Sequence, residues 1–253
     1  PTAIEVATIF SAIADPPQTV TSPSGIQIRG ETVGREVEKA VLREEFATAS
    51  AGRATMVCVS GEPGIGKTTL VEDFLSEIAR GAPHLVARGR CSERLAGAEA
   101  YLPILDAIED LLKSDRSGSI QTSLDKEAPS WRKQVAPYET GPGASAPAAS
   151  QERLKRELVA FLSDISDTKP LVLFIEDIHW ADASTVDLLA YVLTRLVSHR
   201  LFTVITFCPS ELQLAQHPFL ALKLDLQTKG IARELPLTFL TQTEVRALLA
   251  LRF

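Results

Sequence analysis

The stretch "VCVSGEPGIGKTTL", from Val57 to Leu70, constrains this chain more tightly than any other. An apolar run leads into three glycines, Gly61, Gly64 and Gly66, then Lys67, two threonines and the start of an apolar stripe. Gly61, Gly66, Lys67 and Thr68 satisfy the spacing G-x-x-x-x-G-K-[ST], and a predicted strand before and helix after give that pattern its meaning. Glycines admit the backbone conformations in which successive N–H groups converge on an anion. The helix opening at the lysine adds the positive end of its dipole. The loop is therefore predicted to cradle a polyphosphate, with the Lys67 ammonium on the β- and γ-phosphates and the Thr68 hydroxyl on Mg²⁺. Pro63 stiffens it.

On either side, short apolar runs alternate with helical stripes. "ATMVCVS", "HLVARGRC", "PLVLFI", "LFTVITF" and "IARELPL" are predicted strands. "PLVLFI" and "LFTVITF" are nearly continuous apolar runs, as strands buried on both faces should be. Leu70, Val71, Phe74, Leu75 and Ile78 share one helical face between Lys67 and Arg80, with Gly81 as the stop; Ile104, Leu105, Ile108, Leu111 and Leu112 share another within "YLPILDAIEDLLK". "GREVEKAVLREEFATASAG" reads as a helix ended near Gly52, "SQERLKRELVAFLSDIS" as one capped by Ser150, and "STVDLLAYVLTRLV" as a largely buried one. "HPFLALKLDL" is a further helix, and Thr241 with Glu244 is a capping box for the last.

Residues 114–150 are less regular: Trp131 falls in a short helix, and "ETGPGASAPAAS" is low in complexity. The alternation predicts an α/β fold, a three-layer sandwich with a mostly parallel five-stranded sheet and helices on both faces. The expected organisation is a Pro/Ser/Thr-rich linker over residues 1–30 and a core over 31–237 with an insertion near 114–150. The start of a helical lid follows over 238–253.

A polyphosphate loop needs a second strand that brings a carboxylate to the Mg²⁺ shell and a base to the attacking water. "LVLFIEDIHWAD" offers both. Glu176 closes the apolar run and is assigned to Mg²⁺ or its waters; Asp177 is assigned to the water. Lys67, Glu176 and Asp177 form the candidate catalytic set, and Thr68 and Glu176 the candidate metal ligands. His179 reads either as a phosphate contact or as a hydrogen-bonded structural residue. Trp180 reads as a packing anchor and Asp182 as the N-cap of the next helix.

Composition narrows the partners. With 26 Lys and Arg against 32 Asp and Glu, the chain carries a formal net charge of −6, which argues against general affinity for nucleic acid or anionic membrane. No stretch approaches the ~20 apolar residues of a membrane span, and the N-terminus has no signal-peptide pattern. Cys58, Cys91 and Cys208 are odd in number and widely spaced, and read as reduced core residues of a cytosolic protein. The chain opens on proline and closes inside the helical pattern "TQTEVRALLALRF", so it is expected to be a piece of a longer polypeptide.

"VGREVE", "SGEPGIGKTTLV", "GRCSERLAGAEAYLPILDAI", "FIEDIHWADASTVDLLAYV" and "CPSEL" with "HPF" follow one another in order. Together, over about residues 31–253, they resemble the AAA-type ATPase module of the STAND class of signalling NTPases. That module occurs in large bacterial regulators beside kinase, cyclase or LuxR-type DNA-binding domains, often with tetratricopeptide repeats downstream. The resemblance implies a P-loop NTPase sandwich of the ASCE/AAA type with the phosphate-loop strand in the middle of the sheet. It implies ATP or ADP with Mg²⁺ along Gly61, Glu62, Pro63, Gly64, Ile65, Gly66, Lys67, Thr68 and Thr69. Val33, Gly34 and Arg35 would lie against the base. ATP is preferred over GTP by resemblance, and there is no guanine-reading Asn-Lys-x-Asp pattern. The implied partners are the adenine nucleotide and the output and repeat domains of the same polypeptide, with homo-oligomers left open; no membrane or direct nucleic-acid contact is expected of this segment.

Two departures from that pattern matter. AAA proteins usually carry Asp then Glu at the second acidic motif, whereas Glu176 precedes Asp177 here, and Asp177 reaches one methylene less toward a water. Relatives also place an arginine that senses the γ-phosphate where this chain has Cys208, and a thiol cannot replace an always-charged guanidinium fork. Loss of that charge should cost catalysis more than binding. Arg195, Arg200 or an arginine of a neighbouring subunit remains open as a substitute. The expected function is thus a slowly hydrolysing ATP/Mg²⁺ switch of a larger signalling protein. The alternatives are a DNA-associated ATPase of the replication-initiator type and a nucleotide-holding scaffold without hydrolysis.

Overall fold

The computed structural model describes residues 32–93, 100–135 and 150–252. The expected linker at 1–30 and nearly all of "ETGPGASAPAAS" lie outside these residues. Five parallel strands form one sheet in the order β2-β3-β4-β1-β5. They are β1 (Thr55–Ser60), β2 (Leu85–Arg90), β3 (Leu171–Glu176), β4 (Leu201–Phe207) and β5 (Ala232–Pro236). Parallel neighbours require crossovers, and helices provide them. Helix α1 (Glu36–Ser50) precedes β1, and α2 (Lys67–Ile78) follows it. Among the described residues, four helices, α3 (Leu102–Ser114), α4 (Ser119–Glu127), α5 (Pro129–Val135) and α6 (Gln151–Thr168), separate β2 from β3. Helix α7 (Ala183–Arg195) joins β3 to β4; α8 (Pro209–Leu214) and α9 (Phe219–Thr228) join β4 to β5; α10 (Gln242–Arg252) ends the chain.

The two-residue period of the strands divides the core. Met56 and Cys58, Leu171, Leu173 and Ile175, and Leu201, Ile205 and Phe207 pack into one apolar cluster with α3 to α7 and α9. The alternate residues Val57, Val59, Val172, Phe174, Phe202 and Val204 pack into a second with Leu42 of α1 and Leu70, Val71, Phe74 and Leu75 of α2. Successive side chains of a strand point to opposite faces, so strands that are apolar throughout must be sandwiched between helical layers. All three cysteines are free and buried, and burial pushes the Cys58 and Cys91 thiols up to about 12. Among the described residues no helix is long and apolar enough to cross a membrane.

Several expectations need correction. β1 is interior but not central, because β4 takes the middle position and β1 lies between β4 and β5. Residues 119–127 are more regular than expected, forming α4, while the short helix expected around Trp131 forms as α5; together they carry Ile120, Leu124 and Trp131 into the core, and the Trp131 indole N–H donates to the Leu154 carbonyl at 2.8 Å. These helices are short, so their apolar periodicity is brief and tertiary packing holds them. α2 stops at Ile78 rather than reaching Arg80. The caps at Ser150 and at Thr241 with Glu244 form as expected, with the Arg153 N–H on the Ser150 hydroxyl and reciprocal bonds between Thr241 and Glu244.

One glycine fixes how α3 lies on the edge strand. A Cβ at Gly89 would stand 1.8 Å from the Pro103 carbonyl oxygen and 2.7 Å from its carbon. These are backbone atoms that cannot swing aside, and relieving the overlap means lifting α3 off β2. Gly89→Ala is expected to lower unfolding stability by ~3 kcal/mol, read as a fall in the urea midpoint; an unchanged midpoint would refute this packing.

Candidate functional site

The carboxyl ends of β1, β2, β3 and β4 open into one cleft of ≈ 410 Å³. Open parallel sheets bind ligands at this end of their strands. A larger cavity of ≈ 810 Å³ lies at the amino ends of β2 and β3, near His84, Leu85 and Lys169. Its Asp110 and Asp164 are already engaged by Arg88 and Ser123.

The cleft floor is the loop between β1 and α2. Gly64 and Gly66 hold φ of 77° and 98°, a region that L side chains rarely adopt, with nothing within 4 Å of where a Cβ would stand. The loop therefore presents bare backbone beneath the N-terminus of α2. Lys67 is buried, and its ammonium donates to the carbonyls of Gly61 at 2.8 Å and Glu62 at 3.2 Å. The Thr68 hydroxyl, in the first turn of α2, donates to Glu176 Oε1. That bond joins the loop to the acidic strand end two strands away.

Glu176 closes β3, and its other oxygen lies 3.4 Å from Arg90 Nε. Asp177 sits at φ 56°, ψ 49°, a left-handed conformation that aspartate tolerates better than most residues. Its N–H is held by the Thr206 hydroxyl of β4 at 3.0 Å. His179 belongs to the following 3-10 turn and lines the cleft, but its side chain is only 6% exposed. The Cys208 N–H donates to Nδ1 at 3.4 Å, and Nε2 lies 2.8 Å from Glu211 Oε2, a close contact in which that buried oxygen takes no hydrogen bond. Burial lowers the His179 pKa, Glu211 and Asp177 oppose the shift, and Lys67 adds to it. The ring thus joins the acidic loop to the N-cap of α8 through the Cys208 N–H, in keeping with the structural of the two readings.

Cys208, 1% exposed, caps the start of α8. Its thiol lies 3.7 Å from Glu62 Oε2 and 3.1 Å from the Ser210 hydroxyl, which itself donates to Glu62 at 3.3 Å. The position expected to hold a sensing arginine therefore holds a neutral group against a loop carboxylate. The proposed substitutes Arg195 and Arg200 are far from the cleft. Arg195 closes α7 and stacks on the Tyr191 ring at 3.7 Å, while Arg200 precedes β4 at its amino end and donates to the Asp167 carbonyl.

Of the candidate residues, Pro63, Gly64, Gly66, Lys67, Thr68, Thr69, Glu176 and Asp177 line the cleft together. Gly61, Glu62 and Ile65 shape the loop without lining it; the Gly61 N–H bonds to the Phe207 carbonyl at 3.3 Å and Ile65 packs against the apolar cluster on the α2 face. Val33, Gly34 and Arg35 are not in the lining. The Arg35 guanidinium is engaged by Glu38 at 2.9 Å and by the Thr238 carbonyl at 2.7 Å, and a Cβ at Gly34 would meet Glu244 at 2.5 Å. Arg90 and Glu211 are lining residues that reading the sequence missed; a charged residue ending a predicted parallel strand was the available signal for Arg90.

The residues fit a magnesium nucleotide. The glycine cradle is open, and Thr68 and Glu176 offer hard oxygen donors. Among the described residues no group of three or more His, Cys, Asp or Glu could hold a metal alone, and Mg²⁺ needs only one or two protein oxygens when phosphates and waters complete its shell.

The family profile described as "AAA ATPase domain" matches residues 31–205. The chain belongs to that family. No curated protein matches it in sequence. The AAA ATPase domain has the fold of Cdc6p from Pyrobaculum aerophilum, with 14% identity over 90% of this chain and 51% of that one and a TM-score of 0.52. It also has the fold of a chain in Drosophila ORC bound to DNA, with 10% identity over 99% and 58% and a TM-score of 0.51. The Walker-type ATPase of Pyrococcus abyssi matches at 15% identity over 90% and 62%, with a TM-score of 0.48. The chain thus spans 51% to 62% of the length of these solved structures. Membership in an ATPase family implies nucleotide binding, usually with Mg²⁺; the likenesses to solved structures speak to fold alone.

The helix that follows the acidic loop depends on one carboxylate. Asp182 accepts from the Thr185 N–H at 3.0 Å, from the Thr185 hydroxyl and from the Tyr101 N–H at 3.3 Å, so it caps α7 and anchors the start of α3. Burial opposes its ionisation, but these bonds, Thr185 foremost, outweigh that and hold its pKa below the usual value. Asp182→Ala is expected to lose about 1–2 kcal/mol near neutral pH. With the folded pKa depressed, this contribution is complete above the unfolded value of about 3.9 and fades as pH falls through the folded one. Chemical denaturation of both proteins at pH 7 and pH 3 checks this; a difference that does not shrink at the lower pH would contradict it.

Proposed function

We propose that this domain binds ATP with Mg²⁺, hydrolyses it slowly, and works as a switch module within a larger signalling protein. The observation that carries the proposal is the contact of the Thr68 hydroxyl with Glu176, beside the Lys67 ammonium and above the open glycine cradle. It joins the two halves that phosphoryl transfer requires, a polyphosphate cradle and an acidic strand end.

On this reading Lys67 exchanges the carbonyls of Gly61 and Glu62 for the β- and γ-phosphates. Thr68 and Glu176 hold Mg²⁺, which when bound neutralises charge on the phosphate oxygens. Asp177, held by its N–H on Thr206, orients the attacking water. Slow turnover is supported by the thiol at position 208, which brings no charge to the transferring group. Loss of the γ-phosphate would release the acidic loop and its tie to α8 through His179, and so pass the nucleotide state to the second half of the sheet.

The fold shared with Cdc6p and with a chain of ORC bound to DNA favours a second reading, a DNA-associated ATPase. The net charge of −6 weighs against it. Salt-dependent binding to duplex DNA would favour the second reading over the switch.

Calorimetry with Mg·ATP is expected to give binding that Lys67→Ala weakens at least tenfold, and folded wild-type protein with no affinity would overturn the reading. Asp177→Asn keeps a residue that tolerates positive φ. It is expected to retain ATP affinity within about threefold while hydrolysis falls roughly a hundredfold, measured as phosphate release in single turnover. Undiminished release would remove Asp177 from its role.

A further inference from the structure

We propose that Arg90, at the end of β2, contacts the terminal phosphate of the bound nucleotide and so distinguishes ATP from ADP, a binding role that leaves position 208 uncharged toward the transferring group. This deepens the ATP-binding reading and rests on it.

The alternation of β2 carries the argument. Gly89 faces α3, so Arg88 and Arg90 face the α2 side of the sheet. Arg88 Nε reaches Glu72 in the second turn of α2 at 3.2 Å and Nη1 reaches Asp110 at 3.4 Å, and both contacts tie it down. Two residues on, a step of roughly 6–7 Å along the strand, Arg90 stands level with the first turn of α2, where Thr68 lies. Parallel pairing sets Arg90 directly beside Glu176. Its side chain lines the cleft, is 69% exposed, and meets Glu176 Oε2 in a single contact at 3.4 Å. Only the arginine end of the pair is solvated, Glu176 being 16% exposed, so the guanidinium can change partner.

Charge supplies the second ground. Among the described residues lining the cleft, the permanent cations are Lys67 and Arg90, set against Glu176, Asp177 and Glu211. Mg·ATP adds about two further negative charges. Without Arg90 a single ammonium would face all of them. Arg90 meets Glu176 on the side away from Thr68; Thr68 and Glu176 would hold Mg²⁺, and the planar fork of the guanidinium could then exchange the carboxylate for a phosphate oxygen. The contact is made to the γ-phosphate, so it distinguishes ATP from ADP.

The test compares ATP and ADP affinity, both with Mg²⁺, by calorimetry on the whole chain for wild type, Arg90→Ala and Arg90→Lys, each checked for an unchanged melting temperature without nucleotide. Arg90→Ala is expected to weaken ATP about tenfold, the order of one charge-assisted contact, and to leave ADP within twofold; Arg90→Lys keeps the charge and recovers part of the loss. If Arg90→Ala leaves ATP affinity within twofold of wild type, or weakens ADP equally, Arg90 does not contact the γ-phosphate although the nucleotide site stands. Wild type that binds neither nucleotide overturns the site itself.

Discussion

The bond between the Thr68 hydroxyl and Glu176 holds the rest of the site in relation. Thr68 belongs to the helix that springs from β1, and Glu176 ends β3, with β4 lying between the two strands. Their meeting requires parallel strands that end level and a helix whose first turn leans across the sheet. The two apolar clusters on opposite sheet faces secure both conditions, because each strand supplies alternate residues to each. The geometry of the site is a consequence of sheet register, and register is set by burial on both faces.

Around that bond the cleft is poor in positive charge. The thiol of Cys208 rests against Glu62 and Ser210, and Lys67 is satisfied by loop carbonyls. Neutral His179, wedged between the Cys208 N–H and Glu211, links the acidic loop to α8. On the proposed switch reading, a nucleotide that rearranged the acidic loop would reach α8 through this buried ring.

Much of this was legible in the sequence because it depends on local chemistry. The glycines of the loop, the caps at Ser150, Asp182 and Thr241, and the two-sided apolar runs each state their conformation within a few residues. What escaped notice depends on strand order and register. Arg88 and Arg90 look alike in "HLVARGRC"; only the pairing of β2 with β3 sets Arg90 beside Glu176 and leaves Arg88 on Glu72. Arg195 and Arg200 read as substitutes for a sensing arginine until the topology carried them to the amino ends of the strands. The position of β1 beside rather than at the centre of the sheet, and the burial of the short helices α4 and α5, likewise arise from contacts distant in sequence.

Amide hydrogen exchange on the intact chain, without nucleotide and with Mg·ATP, tests the central claim most directly. The account predicts new protection in the amides from Gly64 to Thr69 and around Glu176 and Asp177, where a polyphosphate would order the loop and brace the acidic strand end. Saturating Mg·ATP that leaves these amides exchanging at their original rates, or protects only amides at the opposite end of the sheet, would contradict it.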